Sequence, residues 1–394
     1  MNTSQRDKSF QLGPWLGKAF SILGLAAVFA LADSPFSLGR AQDIAARPMA
    51  LGGSYTAVAS DVTALFYNPA GLSAIKRHEV LFTLEQSTLQ STGRSDGFPA
   101  SHLDQQLMRV QSLGYLLPIP TERGGLSFAI GFYRPRTFSD LIGYQDELSA
   151  SRGPYAYEAE GTLTHYRAGF AVDIAPDISL GLALGYVGGN EEIHIDDGGE
   201  EAYLRNYHGF HLEPALMVKV TPRLRLGASL VAWETFPSLK EVYEVKDEGN
   251  RATDWHVNHP FQVKLGTAYQ GNTWLLAADY KMNNWSDYRF AREGVESLEK
   301  GGYRNEHILS LGGEKYLAPV HAVLRGGYTY NTLPERDFNA AYDLHRFSAG
   351  VGFLFGGALS LDAAYSFAFW ELEADGLYLE NREHRAMLTF AYRY

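Results

Sequence analysis

Three groups of side chains have the types that chemistry needs. Ser95 stands in Gly-Arg-Ser-Asp-Gly, residues 93–97, the spacing of a nucleophile elbow. An elbow needs a turn from a buried strand into a helix, and here the polar run Phe-Pro-Ala-Ser-His follows. The stretch "NEEIHIDDGGEE", 190–201, offers Asp196, Asp197, Glu200 and Glu201 to a hard cation, without the spacing of a calcium loop. His256 and His259 have no third ligand near them in sequence. None of these builds a catalytic or metal centre, so the chain reads as a non-enzyme without cofactor or metal. A different set is more informative. Glu213, Lys264, Asp279, Lys281, Arg325 and Arg346 each interrupt a segment that is otherwise apolar on one face and small on the other. Charges so placed line a polar interior, where they pair with one another or with an inserted segment.

The elements that hold those charges are strands. "ISLGLALGYV" puts Ile178, Leu180, Leu182, Leu184 and Tyr186 on one face and Ser179, Gly181, Ala183 and Gly185 on the other. "LSLDAAYSFAFW", 359–370, repeats the pattern, and a period of two means strand. The larger, more aromatic face is the apolar one, and its opposite is glycine, alanine, serine or an occasional charge. That is the pattern of a barrel with lipid outside and a polar lumen.

The connections support it. Short turns at 118–125, 175–177, 221–223, 271–272, 318–319 and 356–357 alternate with long polar segments at 88–105, 135–160, 188–203, 234–257, 285–304, 332–341 and 371–382. Short turns on one side and long loops on the other describe an antiparallel up-and-down transmembrane β-barrel of about fourteen strands, an all-β fold. Bulk composition agrees. The chain has 394 residues, 24 tyrosines and 22 phenylalanines, as strands favour. It has no cysteine, which excludes a disulfide scaffold and thiolate metal sites. A net charge of -11 argues against nucleic acid as a partner.

Residues 1–41 read as an export signal, with Arg6, Lys8 and Lys18 ahead of the apolar "AFSILGLAAVF" and cleavage after Ala41, or after Ala32. Residues 42–76 then precede a barrel of 77–394. Within them, "DVTALFYNPAGLSAI" reads as two helical turns. Asp61 caps the first, and Pro69 ends it at Tyr67. Asn68 caps the second with Pro69 at its first position, and Gly71 relieves crowding.

The stretch 46–75 resembles the N-terminal plug of the FadL family of outer-membrane channels for hydrophobic compounds. The features that carry the resemblance are Gly52-Gly53, Asp61 and Asn68-Pro69-Ala70, with Phe66 and Tyr67 in the plug core. The chain end also fits: Leu388, Phe390, Tyr392 and Tyr394 share one face, which resembles the C-terminal signature that barrel-assembly machinery recognises. A fourteen-strand barrel would leave a hole, since eight strands fill with side chains and 16 to 18 leave a channel.

The resemblance implies a bacterial outer-membrane location among outer-membrane lipids. It implies passive uptake of long-chain fatty acids or other hydrophobic small molecules, gated by the plug, with lateral release through the wall. The expected site of the gate is Asn68-Pro69-Ala70-Gly71 against the third strand, where Gly131 permits a kink. The opening also resembles that of PorV-like barrels, which implies the alternative of a secretion-system shuttle that binds protein components. Apolar residues converging inside the barrel would favour transport; a tightly filled polar lumen with a large apolar patch on the loops would favour the shuttle.

Overall fold

The computed structural model describes residues 40–145, 155–196, 200–245, 249–259, 261–292, 299–300, 303–334, 340–374 and 376–394. The bulk of the export segment lies outside these residues, as do the side chains of His256, His259 and 236–241.

Fourteen strands close into one antiparallel barrel. In chain order they are β1 (Glu79–Ser95), β2 (Ser101–Ile119), β3 (Leu126–Thr137, continuing after a break as Asp140–Tyr144), β4 (Tyr155–Ala175) and β5 (Ile178–Asp196). Then come β6 (Glu200–Lys219), β7 (Leu224–Val231 and Trp233–Val245), β8 (Gly249–His259 and Gln262–Gln270) and β9 (Trp274–Asn283 and Arg289–Arg292). The last are β10 (Glu306–Leu317), β11 (Ala322–Asn331), β12 (Ala340–Phe355), β13 (Leu359–Ala374) and β14 (Leu377–Arg393). β14 pairs with β1 over its whole length and shuts the ring.

Period-two alternation sorts the side chains. Ile130, Leu184, Phe210, Leu276, Leu311 and Phe347 are each more than half exposed on the outer face. A soluble protein does not carry a continuous apolar belt of this kind, whereas a lipid-facing barrel must. The chain is a transmembrane barrel of the outer-membrane type. At the closing seam, the backbone N–H of Tyr394 donates to the His78 carbonyl at 3.1 Å, and the two rings stack at 5.0 Å.

Several segments expected as loops are strand. β5 and β6 stay paired up to Asp196 and Glu200, β7 and β8 up to Val245 and Gly249, and β13 and β14 up to Ala374 and Leu377. These polar stretches keep the alternation, with Ile193, Ile195 and Leu379 turned inward and buried. The ladder therefore continues beyond the lipid-facing belt and walls off a chamber. Ser95, the elbow candidate, ends β1, and its hydroxyl donates to the Gln145 carbonyl.

Inside the ring lies the plug: a two-residue strand Arg40–Ala41, helix α1 (Ala46–Ala50), helix α2 (Ala64–Tyr67) and a 3-10 turn Pro69–Ala74. α2 ends at Tyr67 as Pro69 dictates. The Asn68 side chain accepts from the Ala70 N–H at 3.0 Å, and the Asp61 carboxylate accepts from the Thr63 N–H at 3.0 Å. The Asn68 bond is the cap that the local sequence specifies, whereas α2 starts after Thr63 without a side-chain cap and Asp61 binds the turn ahead of it.

Candidate functional site

The plug lies directly on the wall because the wall has glycine where it touches. A Cβ on Gly181 would stand 2.2 Å from the Ala70 nitrogen, and one on Gly227 2.4 Å from the Thr56 carbonyl oxygen. Gly312 and Gly327 meet the plug backbone around Leu51 and Gly52 in the same way, at 2.5 and 2.1 Å. Gly52 itself is at φ +62°, and a Cβ on it would stand 2.7 Å from the Tyr328 nitrogen, a conformation and a clearance that only glycine supplies. Neighbouring strands thus form a seat for the plug.

Charges on the inner wall then bind plug backbone. Asp279 accepts from the N–H groups of Tyr55 and Thr56 at 2.9 and 2.8 Å. Lys281 donates to the Gly53 carbonyl at 2.9 Å, Lys264 to Phe66 at 3.0 Å, and Thr329 to Gly52 at 2.7 Å. Glu213 holds Arg167 at 2.8 Å and Lys264 at 2.7 Å, and it is completely buried. Glu314 bridges Arg47 of α1 to Arg325 at 2.6 and 3.0 Å, while Arg346 pairs with Glu383 at 3.0 Å. These pairs satisfy one another and the plug, which is the condition for charge in a closed interior.

Above the plug is a vestibule of about 200 Å³. Phe66, Tyr67, Gly52 and Gly53 form its floor with Lys264 and Lys281. Leu141, Ile142, Leu344, Trp370, Leu372 and Leu379 give it an apolar portion, beside the polar Arg40, Asp140, Arg346 and Asn381. The apolar side chains belong to two buried clusters built from the strand extensions and from the inward part of β3.

β3 is broken where it borders the vestibule. Its ladder with β2 runs from Ile119↔Leu126 to Ser112↔Tyr133 and stops. Arg134 and Pro135 follow, and the register with β4 shifts between Tyr133 and Arg136. Proline cannot donate to a ladder, so the strand leaves the wall there. Its continuation, Asp140–Tyr144, pairs with β4 alone and lies across the inner face of β1 and β2, where Gly143 meets Leu103 and Gly93. The β2 edge from Ser101 to Gln111 has no ladder partner on the β3 side among the described residues. The N-terminal strand occupies the freed β3 edge, with Arg40 opposite Thr137 and Ala41 opposite Arg136. Arg40 also binds Asp140 and stacks over Trp370 at 4.7 Å, and the Gln42 N–H donates to the Pro135 carbonyl at 2.7 Å. The space at this break is about 10 Å³, room for no more than one water.

Solved structures share this fold. A Pseudomonas aeruginosa FadL homologue matches with a TM-score of 0.69 at 15% identity, over 90% of this chain and 99% of that one. The chain has the FadL fold. The toluene transporter TodX of P. putida matches at 0.67 and 17% identity, over 90% and 99% of the two chains. The monoaromatic hydrocarbon channel CymD matches at 0.63 and 13%, over 89% and 97%. Neither a family model nor a curated protein matches the sequence.

Within this FadL-type barrel, the residues singled out from sequence are divided between seat and break. Asn68 donates to the Thr56 and Leu216 carbonyls at 2.9 and 3.1 Å, so Asn68-Pro69-Ala70 rests on β5, β6 and β7. It does not face Gly131, which adjoins the Tyr133 hydroxyl on β3. The third strand is irregular as expected, but the break follows from Pro135 and not from Gly131. Gly71 packs on Ala59, where a Cβ would come 2.3 Å from its carbonyl oxygen. Sequence reading missed Pro135, Arg40 and the seat glycines. Pro135 was the available signal, a proline inside an alternating run.

Proposed function

We propose that the chain is a passive channel for small hydrophobic compounds. The observation that carries this reading is the vestibule: apolar side chains converge inside the barrel, above a filled and charge-paired plug. Its volume of about 200 Å³ suits a substituted single ring or a segment of acyl chain. For scale, a dry apolar cavity of about 150 Å³ takes a benzene. Long-chain fatty acids would extend from it into the barrel mouth.

The ligand enters from the mouth and leaves sideways at the β2–β3 break, because the seated plug blocks the axis. The moving part is the front of the plug, Arg40 to Asp43, which fills the break and also lines the vestibule. Toluene transporters and a monoaromatic hydrocarbon channel of the same fold support this reading. It requires Arg40 and Ala41 on the mature chain, hence export cleavage after Ala32. A shuttle that binds only protein would have no use for an apolar interior chamber.

Native mass spectrometry of gently extracted protein tests it. The expected spectrum carries a bound hydrophobic molecule. Leu344→Trp, which fills the vestibule, removes that molecule and slows uptake of a hydrophobic probe while the barrel still assembles. Unbound protein in both cases, with uptake unchanged by L344W, would transfer the reading to the shuttle.

A further inference from the structure

Six times among the described residues, a tyrosine on one strand meets a histidine of the next in the same diagonal; His78 with Tyr115 and Tyr316 with His321 do so at the short-turn edge, and the other four do so towards the opposite, outer edge. Tyr186 of β5 lies opposite Phe210, and His208 is two residues further out on β6. Tyr280 of β9 lies opposite Leu309, with His307 two residues further out on β10. Tyr328 lies opposite Phe347 before His345 on β12, and Tyr365 opposite Ala386 before His384 on β14. In every case the phenol oxygen sits on the imidazole Nδ1: at 2.8 Å for His307, 2.7 Å for His345 and 2.6 Å for His384, with Tyr186 likewise bonded to His208.

Three of the histidines stand at one height. Phe367 is level with His384 and pairs with Phe347; His345 is two residues beyond Phe347. Tyr330 is level with His345 and pairs with Leu309; His307 is two residues beyond Leu309. An advance of two residues for every two strands is the stagger that tilted barrel strands impose, so the advance keeps the ring level. Beneath the ring the outer face is apolar, with Phe210, Leu309 and Phe347 each half exposed or more. Above it stand Asp343, tied to Tyr330 and Arg304, and Arg382 on β14. The histidines therefore mark the outer edge of the lipid-facing band.

Aromatic girdles at this depth are general in such barrels. The imidazoles are not explained by that. Where the phenol donates to Nδ1, the neutral imidazole carries its proton on Nε2, and Nε2–H is then the donor on offer. We infer that the four Tyr–His diagonals of the outer edge are binding sites for phosphate-bearing lipid headgroups of the outer leaflet. The phosphate oxygens accept from Nε2–H, and the acyl chains lie on the Phe and Leu side chains below. The tyrosines act as positioning residues. Protonation is not required, since the neutral tautomer already donates.

The test uses the full folded barrel in mild detergent and native mass spectrometry. Two glycolipids with identical acyl chains are offered, one phosphorylated and one dephosphorylated. The expected result is about tenfold better retention of the phosphorylated lipid, the effect of a few charge-assisted hydrogen bonds. Excess inorganic phosphate should not displace it, which separates the headgroup site from a free-phosphate site. The combined variant H208F, H307F, H345F and H384F keeps the girdle aromatic and should lose the preference. H345F alone, should the combined variant fail to assemble, should lower it. Tyr328→Phe should lower retention less than H345F while leaving heat-modifiable mobility unchanged. Equal retention of the two lipids by the wild type, an unaltered preference in the histidine variants, or displacement by inorganic phosphate would overturn the inference.

Discussion

At the residue scale, Glu213 is the anion on which two cations depend. Its carboxylate meets Arg167 and Lys264, and all three side chains are at most 5% exposed. Both cations also hold plug carbonyls, Arg167 that of Leu65 and Lys264 that of Phe66. Removing one partner of a buried pair leaves uncompensated charge, a loss of about 3–5 kcal/mol. Glu213→Gln is accordingly expected to destabilise the folded barrel by that order, read as heat-modifiable mobility lost at a lower temperature than in the wild type. Adding Lys264→Met should return part of the loss, because one stranded cation is then gone. A midpoint unchanged by E213Q would mean that the cluster does not carry the load assigned to it. Such inward charges were legible in sequence, since each breaks an apolar–small alternation. Their partners were not, because Arg167, Glu213 and Lys264 come from three strands whose register only the closed barrel sets.

At the element scale, the plug is held by the shape of the wall as much as by bonds. Gly327 and Gly326 are adjacent and differ in this respect. A Cβ on Gly327 would stand 2.1 Å from the Gly52 nitrogen, whereas one on Gly326 meets nothing nearer than 4.0 Å. Gly327→Val should displace the plug from its seat without preventing barrel assembly. The expected readout is raised ion conductance in planar bilayers, with Gly326→Ala indistinguishable from wild type. Equal conductance in all three would show that the plug tolerates a lifted contact. The helical turns of this plug were legible because caps are local: Asp61, Asn68 and Pro69 act within a few residues of themselves. The seat was not, because each glycine's partner is between about 110 and 275 residues away, as Gly181 is from Ala70 and Gly327 from Gly52. The Tyr–His diagonals were hidden for the same reason, since a diagonal exists only once two strands have a register.

At the scale of the whole molecule, the apolar belt, the seated plug and the extended strands define an inside, an outside and a direction. The extensions were read as loops because their charge resembles loop composition; in the structure Glu192 and Asp196 are exposed while Ile193, Ile195 and Leu379 turn inward and Glu191 pairs with Arg205 in the interior. Single cysteines probe the direction cleanly in a chain that has none. A cysteine at Glu192, on the β5 extension, should be labelled by an impermeant maleimide on intact cells, and one at Asp177, in the β4–β5 turn, should not. The reverse pattern would invert the topology. The central claim is that a hydrophobic molecule leaves the vestibule through the β2–β3 break, past the N-terminal strand that fills it. Ala41 and Arg136 are directly opposed in that strand pair, close enough for a cross-strand disulfide. The most direct measurement is uptake of a hydrophobic fluorescent probe by cells carrying A41C/R136C, oxidised and then reduced, with disulfide formation checked by mass. The account predicts that uptake falls to the level of cells lacking the barrel when the bond is closed and returns on reduction. Uptake at the wild-type rate with the bond closed would contradict it.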